Sequence, residues 1–167
     1  GNLLHHLEIK NEMFVLNDVN EENKIYEIIE KLTSGKRIAL VSDAGTPLIS
    51  DPGFKLVREC AKHNISVIPL PGASSVITAL SASGLPTDKF LFLGYSPDSE
   101  ERKKKWFLNI QEVIKTSTET KLNPTVIFFE SPHKLLRTFD AILDTLGDID
   151  LVVSREMTKI YEEFLRM

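Results

Sequence analysis

Short apolar runs alternate along the chain with stretches of helical periodicity. Ile25, Ile28, Ile29 and Leu32 recur at the i, i+3, i+4, i+7 spacing of one buried helix face, with Asn20 as the N-cap and Gly35 as the stop. Ile38 to Val41 gives a different signal, an unbroken apolar run of the kind found in a strand buried on both faces. It ends in Ser42-Asp43-Ala44-Gly45-Thr46-Pro47, a tight polar loop, and Asp51 with Pro52 then predicts the start of a helix. That helix has Phe54, Val57, Cys60 and Ala61 on its buried stripe and ends near Asn64. Ile65 to Leu70 repeats the strand pattern, and Pro71-Gly72-Ala73-Ser74-Ser75 turns it into a helix over 74–83 that Gly84 closes. Near the start, Leu3, Leu4 and Leu7 read as the tail of a helix and Met13 to Leu16 as a short strand.

Leu85-Pro86-Thr87-Asp88 breaks this pattern and is expected to divide two domains, 1–86 and 87–167. Beyond it, Phe90 to Tyr95 reads as a strand and 98–115 as a helix carrying Trp106, Phe107, Ile110, Val113 and Ile114 on one side. Residues 116–123 are polar and read as a loop. Thr125 to Phe129 is β-branched and aromatic, hence a strand. Leu135, Leu136, Phe139, Ile142, Leu143 and Leu146 predict the longest amphipathic helix, stopped by Gly147, and Leu151 to Val153 predicts the last strand. Strands and helices that alternate in this way indicate layered α/β units, not a bundle or a sandwich.

Composition narrows the chemistry. The 167 residues are 42% hydrophobic and 26% charged, an ordinary globular balance. A net charge of −4 excludes a uniformly basic nucleic-acid binder, so any contact with RNA must be local. The lone Cys60 excludes an intramolecular disulfide and a cysteine metal cluster and fits a reducing, cytoplasmic setting. His5, His6, His63 and His133 have no metal-ligand spacing, and no metal is implied. The chain has no apolar run of roughly eighteen residues, the length a membrane helix needs.

Ser42-Asp43-Ala44-Gly45-Thr46-Pro47-Leu48-Ile49-Ser50-Asp51-Pro52-Gly53 is the longest distinctive motif; Leu70-Pro71-Gly72 and Ala79-Leu80-Ser81-Ala82-Ser83-Gly84-Leu85-Pro86 follow it. With Phe128-Phe129-Glu130-Ser131-Pro132-His133 and Arg155-Glu156-Met157-Thr158-Lys159, these words resemble the bacterial small-subunit ribosomal RNA 2′-O-ribose methyltransferases. Those enzymes belong to the tetrapyrrole-methylase class that uses S-adenosylmethionine. The resemblance implies two α/β domains with the cofactor in the cleft between them, a cytidine ribose as the methyl acceptor, the small-subunit RNA or the assembled subunit as partner, and a homodimer. It also implies that Asp43, Ala44, Gly45 and Thr46, with Pro71, Gly72, Ala73 and Ser74, line the cofactor pocket, mostly through main-chain groups. The plain alternative for Asp43 is a loop cap.

A ribose hydroxyl is a poor nucleophile until its proton is removed, so a base, or a cation beside the developing alkoxide, would help. Glu130, at the end of a strand, and Arg155, Glu156 and Lys159, after the last strand, are the catalytic candidates; an ordinary ion pair of Arg155 with Glu156 is the alternative. Arg102-Lys103-Lys104-Lys105, followed by Trp106, is the candidate RNA contact, and a solvated helix face is its alternative. Two other functions stay open: methylation of a tetrapyrrole ring, and a non-enzymatic RNA-binding module that keeps the fold.

Both ends break off inside apolar, helix-like segments, so the sequence reads as a fragment that lacks the family's first strand and its closing strands. On that reading the chain alone is inactive, with an exposed strand edge at Ile38 to Val41.

Overall fold

The computed structural model describes residues 2–17 and 19–167, which fall into two compact units, Gly1–Pro71 and Gly72–Met167. The first contains helices α1 (Asn2–His6), α2 (Glu21–Thr33) and α3 (Phe54–Lys62). Ile25, Ile28 and Ile29 of α2 close on Leu56 and Cys60 of α3, with Leu16, Leu32, Ile38 and Ile65 around them. The helical periodicity of α2 is therefore realised. Its end follows from the backbone: the Gly35 and Lys36 amides donate to the carbonyls of Leu32 and Lys31, the Schellman arrangement that satisfies last-turn acceptors.

The start of α3 differs from the expectation. Its N-cap is Gly53, at φ 124°, and not Asp51. Glu21, buried at the start of α2, accepts the Leu56 amide on Oε1 at 3.1 Å, so a carboxylate from another helix does what a capping side chain does elsewhere. A Cβ on Gly53 would lie 2.7 Å from Leu40 Cδ2, which reserves this tight turn for glycine. The face of α3 that packs on α2 carries Leu56 and Cys60, while Phe54 is exposed and Arg58 lies over its ring.

The three strands expected in this unit, Met13 to Leu16, Ile38 to Val41 and Ile65 to Leu70, are not in a ladder among the described residues. Their composition suits a sheet, but a strand is completed only by a neighbour's amides and carbonyls. Ile38 and Ile65 pack on the helices, whereas Val41 is 68% exposed and Leu70 82% exposed.

The second unit contains α4 (Ser75–Ser83), β1 (Phe90–Tyr95), α5 (Glu100–Glu119), β2 (Thr125–Phe129), α6 (Leu135–Leu146), β3 (Val152–Arg155) and β4 (Glu163–Arg166). Gly84 ends α4 in the left-handed region, as the sequence predicts, whereas Ser74, expected inside the helix, is its N-cap. Packing places α4 with this unit, N-terminal to the breaker at Leu85 to Asp88. β1, α5 and β2 form a parallel β-α-β unit. Pairing runs Phe92 with Ile127 and then Tyr95 with Phe129, so β1 holds one extra residue, a bulge, with Gly94 at φ 68° inside it. Residues three apart in a strand normally face opposite ways. Here Phe92 and Tyr95 both stack on Phe129, at centroid distances of 5.0 and 5.1 Å.

The core of this unit is Phe107, Ile110 and Ile142, with Leu93, Trp106, Val126, Phe128 and Leu146 against it. α5 reaches Glu119, through residues expected to be a loop, and its 20 residues make it longer than α6. The hydroxyls of Ser117, Thr118 and Thr120 donate to carbonyls one turn back, so residues that usually compete with a helix here continue it. On α6 the buried face is Thr138, Ile142 and Thr145; Leu136 and Leu143, expected inside, are exposed. The end of the chain is not helical. Glu163–Arg166 is β4, antiparallel to β3. No helix among the described residues is long and apolar enough to cross a membrane.

Candidate functional site

The carboxyl ends of β1 and β2 build a polar centre in the second unit. After the bulge, the Ser96 amide donates to the Phe129 carbonyl at 3.1 Å, which sets Ser96 beside Glu130, the residue that follows β2. Ser96 Oγ donates to Glu130 Oε2 at 2.5 Å. Lys103 Nζ, from α5, lies 2.6 Å from the same oxygen, and Thr138 Oγ1, from α6, donates to it at 2.5 Å. Lys103 also donates to Thr138 Oγ1 at 2.6 Å. The Ser131 amide donates to Glu130 Oε1 at 2.8 Å. Four elements thus meet on one carboxylate whose side chain is only 8% exposed.

Burial pushes the Glu130 carboxyl upward, but the hydrogen bonds from Lys103, Ser96, Thr138 and the Ser131 amide outweigh it and hold the group at about 2. A general base works best with a pKa near the working pH and an open lone pair. Three donors converge on Oε2 and hold Glu130 ionised well below that range, so in this geometry the carboxylate serves as an anchor between the strand ends, α5 and α6.

Lys103 belongs to this buried centre. Its side chain is 6% exposed and turned inward, so it is not a surface contact for RNA. Arg102, Lys104 and Lys105 are exposed; Lys105 pairs with Glu101 at 3.2 Å, and Arg102 and Lys104 form no ion pair among the described residues. Lys134 with Asp98, and Arg137 with Glu100, add exposed pairs that dilute the positive field.

Arg155 and Glu156 do not pair with each other. Arg155 Nε donates to Glu163 across the β3–β4 ladder, and Lys159 lies 3.2 Å from Glu156 within the connecting turn. The turn is closed by the Lys159 amide on the Glu156 carbonyl and by the Thr158 amide on Glu162 Oε2, with Glu156 and Thr158 at positive φ. Arg155, at the end of β3, and Lys159, in the turn, are thus each paired with a carboxylate, Glu163 and Glu156, on an exposed, internally bonded hairpin end.

In the first unit, the expected cofactor loop is an open turn. Gly45 is at φ 73°, Ser42 Oγ donates to the carbonyls of Ala44 and Gly45, and Asp43, Ala44 and Gly45 are exposed while Thr46 is half-buried. The second loop bridges the units: Pro71 ends the first, and Gly72, Ala73 and Ser74 open the second. Gly72 has open space where a Cβ would stand, so close packing inside the protein does not explain a glycine there. The cavity lined by Leu4, His5, Glu8, Ile9, Lys10, Asn11 and Met13 contains none of the expected cofactor residues.

Sequence reasoning missed Ser96 and Thr138 and misread Lys103. The signal for Lys103 was its spacing: Lys103, Phe107 and Ile110 fall on one helical stripe.

Comparison with known proteins adds to this geometry. The profile of the family described as Tetrapyrrole (Corrin/Porphyrin) Methylases matches residues 5–167. The chain is 47% identical over 163 residues to the ribosomal RNA small subunit methyltransferase I of Vibrio cholerae, covering 97% of this chain and 54% of that protein. Identity and coverage are the same for the protein of that name from Haemophilus influenzae. The namesake from Thermotoga maritima is 40% identical over 164 residues, covering 98% of this chain and 69% of that protein. The chain spans about half the length of the first two curated relatives.

Proposed function

The chain belongs to the tetrapyrrole (corrin/porphyrin) methylase family, and from that premise we propose that it serves an S-adenosylmethionine-dependent methyltransferase acting on a cytidine ribose 2′-hydroxyl of small-subunit ribosomal RNA. The observation that carries this reading is the 47% identity, along nearly the whole chain, to proteins named as ribosomal RNA small subunit methyltransferases. The enzyme works in the cytoplasm as a homodimer.

S-adenosylmethionine supplies a methyl group on a sulfonium sulfur. Asp43, Ala44, Gly45 and Thr46, with Pro71, Gly72, Ala73 and Ser74, hold it. The fit rests on the exposed backbone at Asp43 to Gly45, the positive φ of Gly45 and the open space at Gly72. Arg155 and Lys159 supply positive charge beside the acceptor oxygen, and Glu156, on the same turn, orients Lys159. Glu130 positions the β1 and β2 ends. Arg102, Lys104 and Lys105 meet RNA phosphates.

The test is transfer of labelled methyl from S-adenosylmethionine to small ribosomal subunits from a strain that lacks the modification. Label on a 2′-O-methylcytidine supports the reading. With the complete gene product as the enzyme, label on a tetrapyrrole alone, or RNA binding without transfer, overturns it.

A further inference from the structure

Arg166 lies near the end of the chain on β4, and its side chain reaches back to the last turn of α4. Its Nε donates to the Ser83 carbonyl at 3.0 Å and its Nη2 to the Ala82 carbonyl at 2.6 Å. The last carbonyls of a helix have no partner within it and carry the negative end of its dipole, so a guanidinium fork there both bonds and neutralises them. Phe164, two residues earlier on the same strand, lies under the guanidinium at 5.6 Å. The same turn is closed locally, because buried Ser83 donates to the Leu80 carbonyl at 2.9 Å and accepts the Leu85 amide at 3.0 Å.

The other end of α4 carries Ser74 and, before it, Gly72 and Ala73. Ser74 is fixed to the helix: its carbonyl accepts the Thr78 amide at 2.9 Å and the Thr78 hydroxyl at 2.8 Å. A helix of nine residues is one rigid rod. Held at its C-terminal turn, it fixes where its N-terminal residues stand.

We propose that Arg166 is a positioning residue which, through the Ala82 and Ser83 carbonyls, sets α4 so that Gly72, Ala73 and Ser74 are presented to the cofactor. This rests on the cofactor reading above. It adds a residue outside both loops to what determines affinity for S-adenosylmethionine, and it couples the β3–β4 hairpin to that affinity.

The test compares Arg166→Met and Arg166→Lys with the unchanged protein, by calorimetric binding of S-adenosylmethionine and by amide exchange in α4 without it. Arg166→Met should weaken binding by about two- to fivefold, the range expected of an exposed cation at a helix C-terminus. It should also speed exchange at Thr78 to Leu80 while leaving exchange in α5 and β2 unchanged. Arg166→Lys, which keeps the charge and one donor, should recover part of both effects. Unchanged affinity in a folded Arg166→Met protein, or unchanged exchange in α4, overturns the proposal. Loss of protection throughout the unit in both variants also overturns it, as a merely structural role. Gly45→Val, measured alongside, reports on the pocket itself: if that variant also binds normally, the cofactor assignment has failed, and not Arg166 alone.

Discussion

Lys103 Nζ and Glu130 Oε2 lie 2.6 Å apart, each on a side chain less than a tenth exposed, and Thr138 and Ser96 take up the remaining polar reach of the pair. Removing one partner of such a pair leaves a buried charge uncompensated, which costs more than the pair contributes. Lys103→Met should therefore lower unfolding free energy by about 3–5 kcal/mol, read from the denaturant midpoint. Arg102→Ala should change it by less than about 0.5 kcal/mol. Equal effects would show that Lys103 is solvated like its neighbours.

The acid limb of stability follows from Glu130. Its folded value, about 2, is below the ordinary 4.5, so ionised Glu130 stabilises the fold above the ordinary value. This contribution is lost as the pH falls from 4.5 toward 2. Its size is roughly 3 kcal/mol. Glu130→Gln should flatten this limb of the stability curve between those values, and a limb as steep as that of the unchanged protein would refute the assignment.

RNA affinity separates along α5 in the same way. Replacing Arg102 and Lys104 by Ala should weaken RNA binding and reduce the salt slope by roughly one unit or slightly less for each phosphate left unneutralised. Affinity for S-adenosylmethionine should not move. A salt slope that stays the same would make this face a solvated one only.

Gly45→Val tests the cofactor loop. A β-branched side chain is poorly tolerated at φ 73°, and the loop backbone it would cover is exposed. Affinity for S-adenosylmethionine should fall by more than about tenfold, with circular dichroism unchanged; calorimetry that shows normal affinity would remove Asp43 to Thr46 from the site.

Glu21→Ala should destabilise the first unit by about 1–3 kcal/mol, because the Leu56 amide loses its acceptor at a buried position. Thermal unfolding followed by circular dichroism reads the change, and a shift no larger than that of Glu22→Ala would show that water replaces the carboxylate.

How much of this the sequence reveals depends on whether a signal is local. The stripe of α2, the Gly84 stop of α4, and the β1, β2 and α6 spans are written in residues close together, and they stand as expected. Asp51 looked like a cap because its partner in that role, Glu21, lies outside any local window. Val41 and Leu70 looked buried because apolar runs state a preference and not a partner. β4 was missed because Glu163 to Arg166 is charged at both ends and only its pairing with β3 makes it a strand. At the polar centre, Glu130 was found from its place after a strand. The contacts that surround it needed Lys103, Ser96 and Thr138, which the bulge, α5 and α6 bring from as far as 34 residues away in the sequence. A lysine inside a run of four cations reads as surface unless its helical phase is weighed above its charge.

The bulge in β1 makes the polar centre a matter of parity. Side chains along a strand alternate sides, so the one surplus residue between Phe92 and Tyr95 decides which side Ser96 takes. Deleting Gly94 would leave Ser96, Lys103, Glu130 and Thr138 all present, yet it would turn Ser96 to the opposite side and open the carboxylate that it covers. What keeps those four residues together is the count of residues between them as much as their identities, and that quantity is invisible to any comparison made one position at a time.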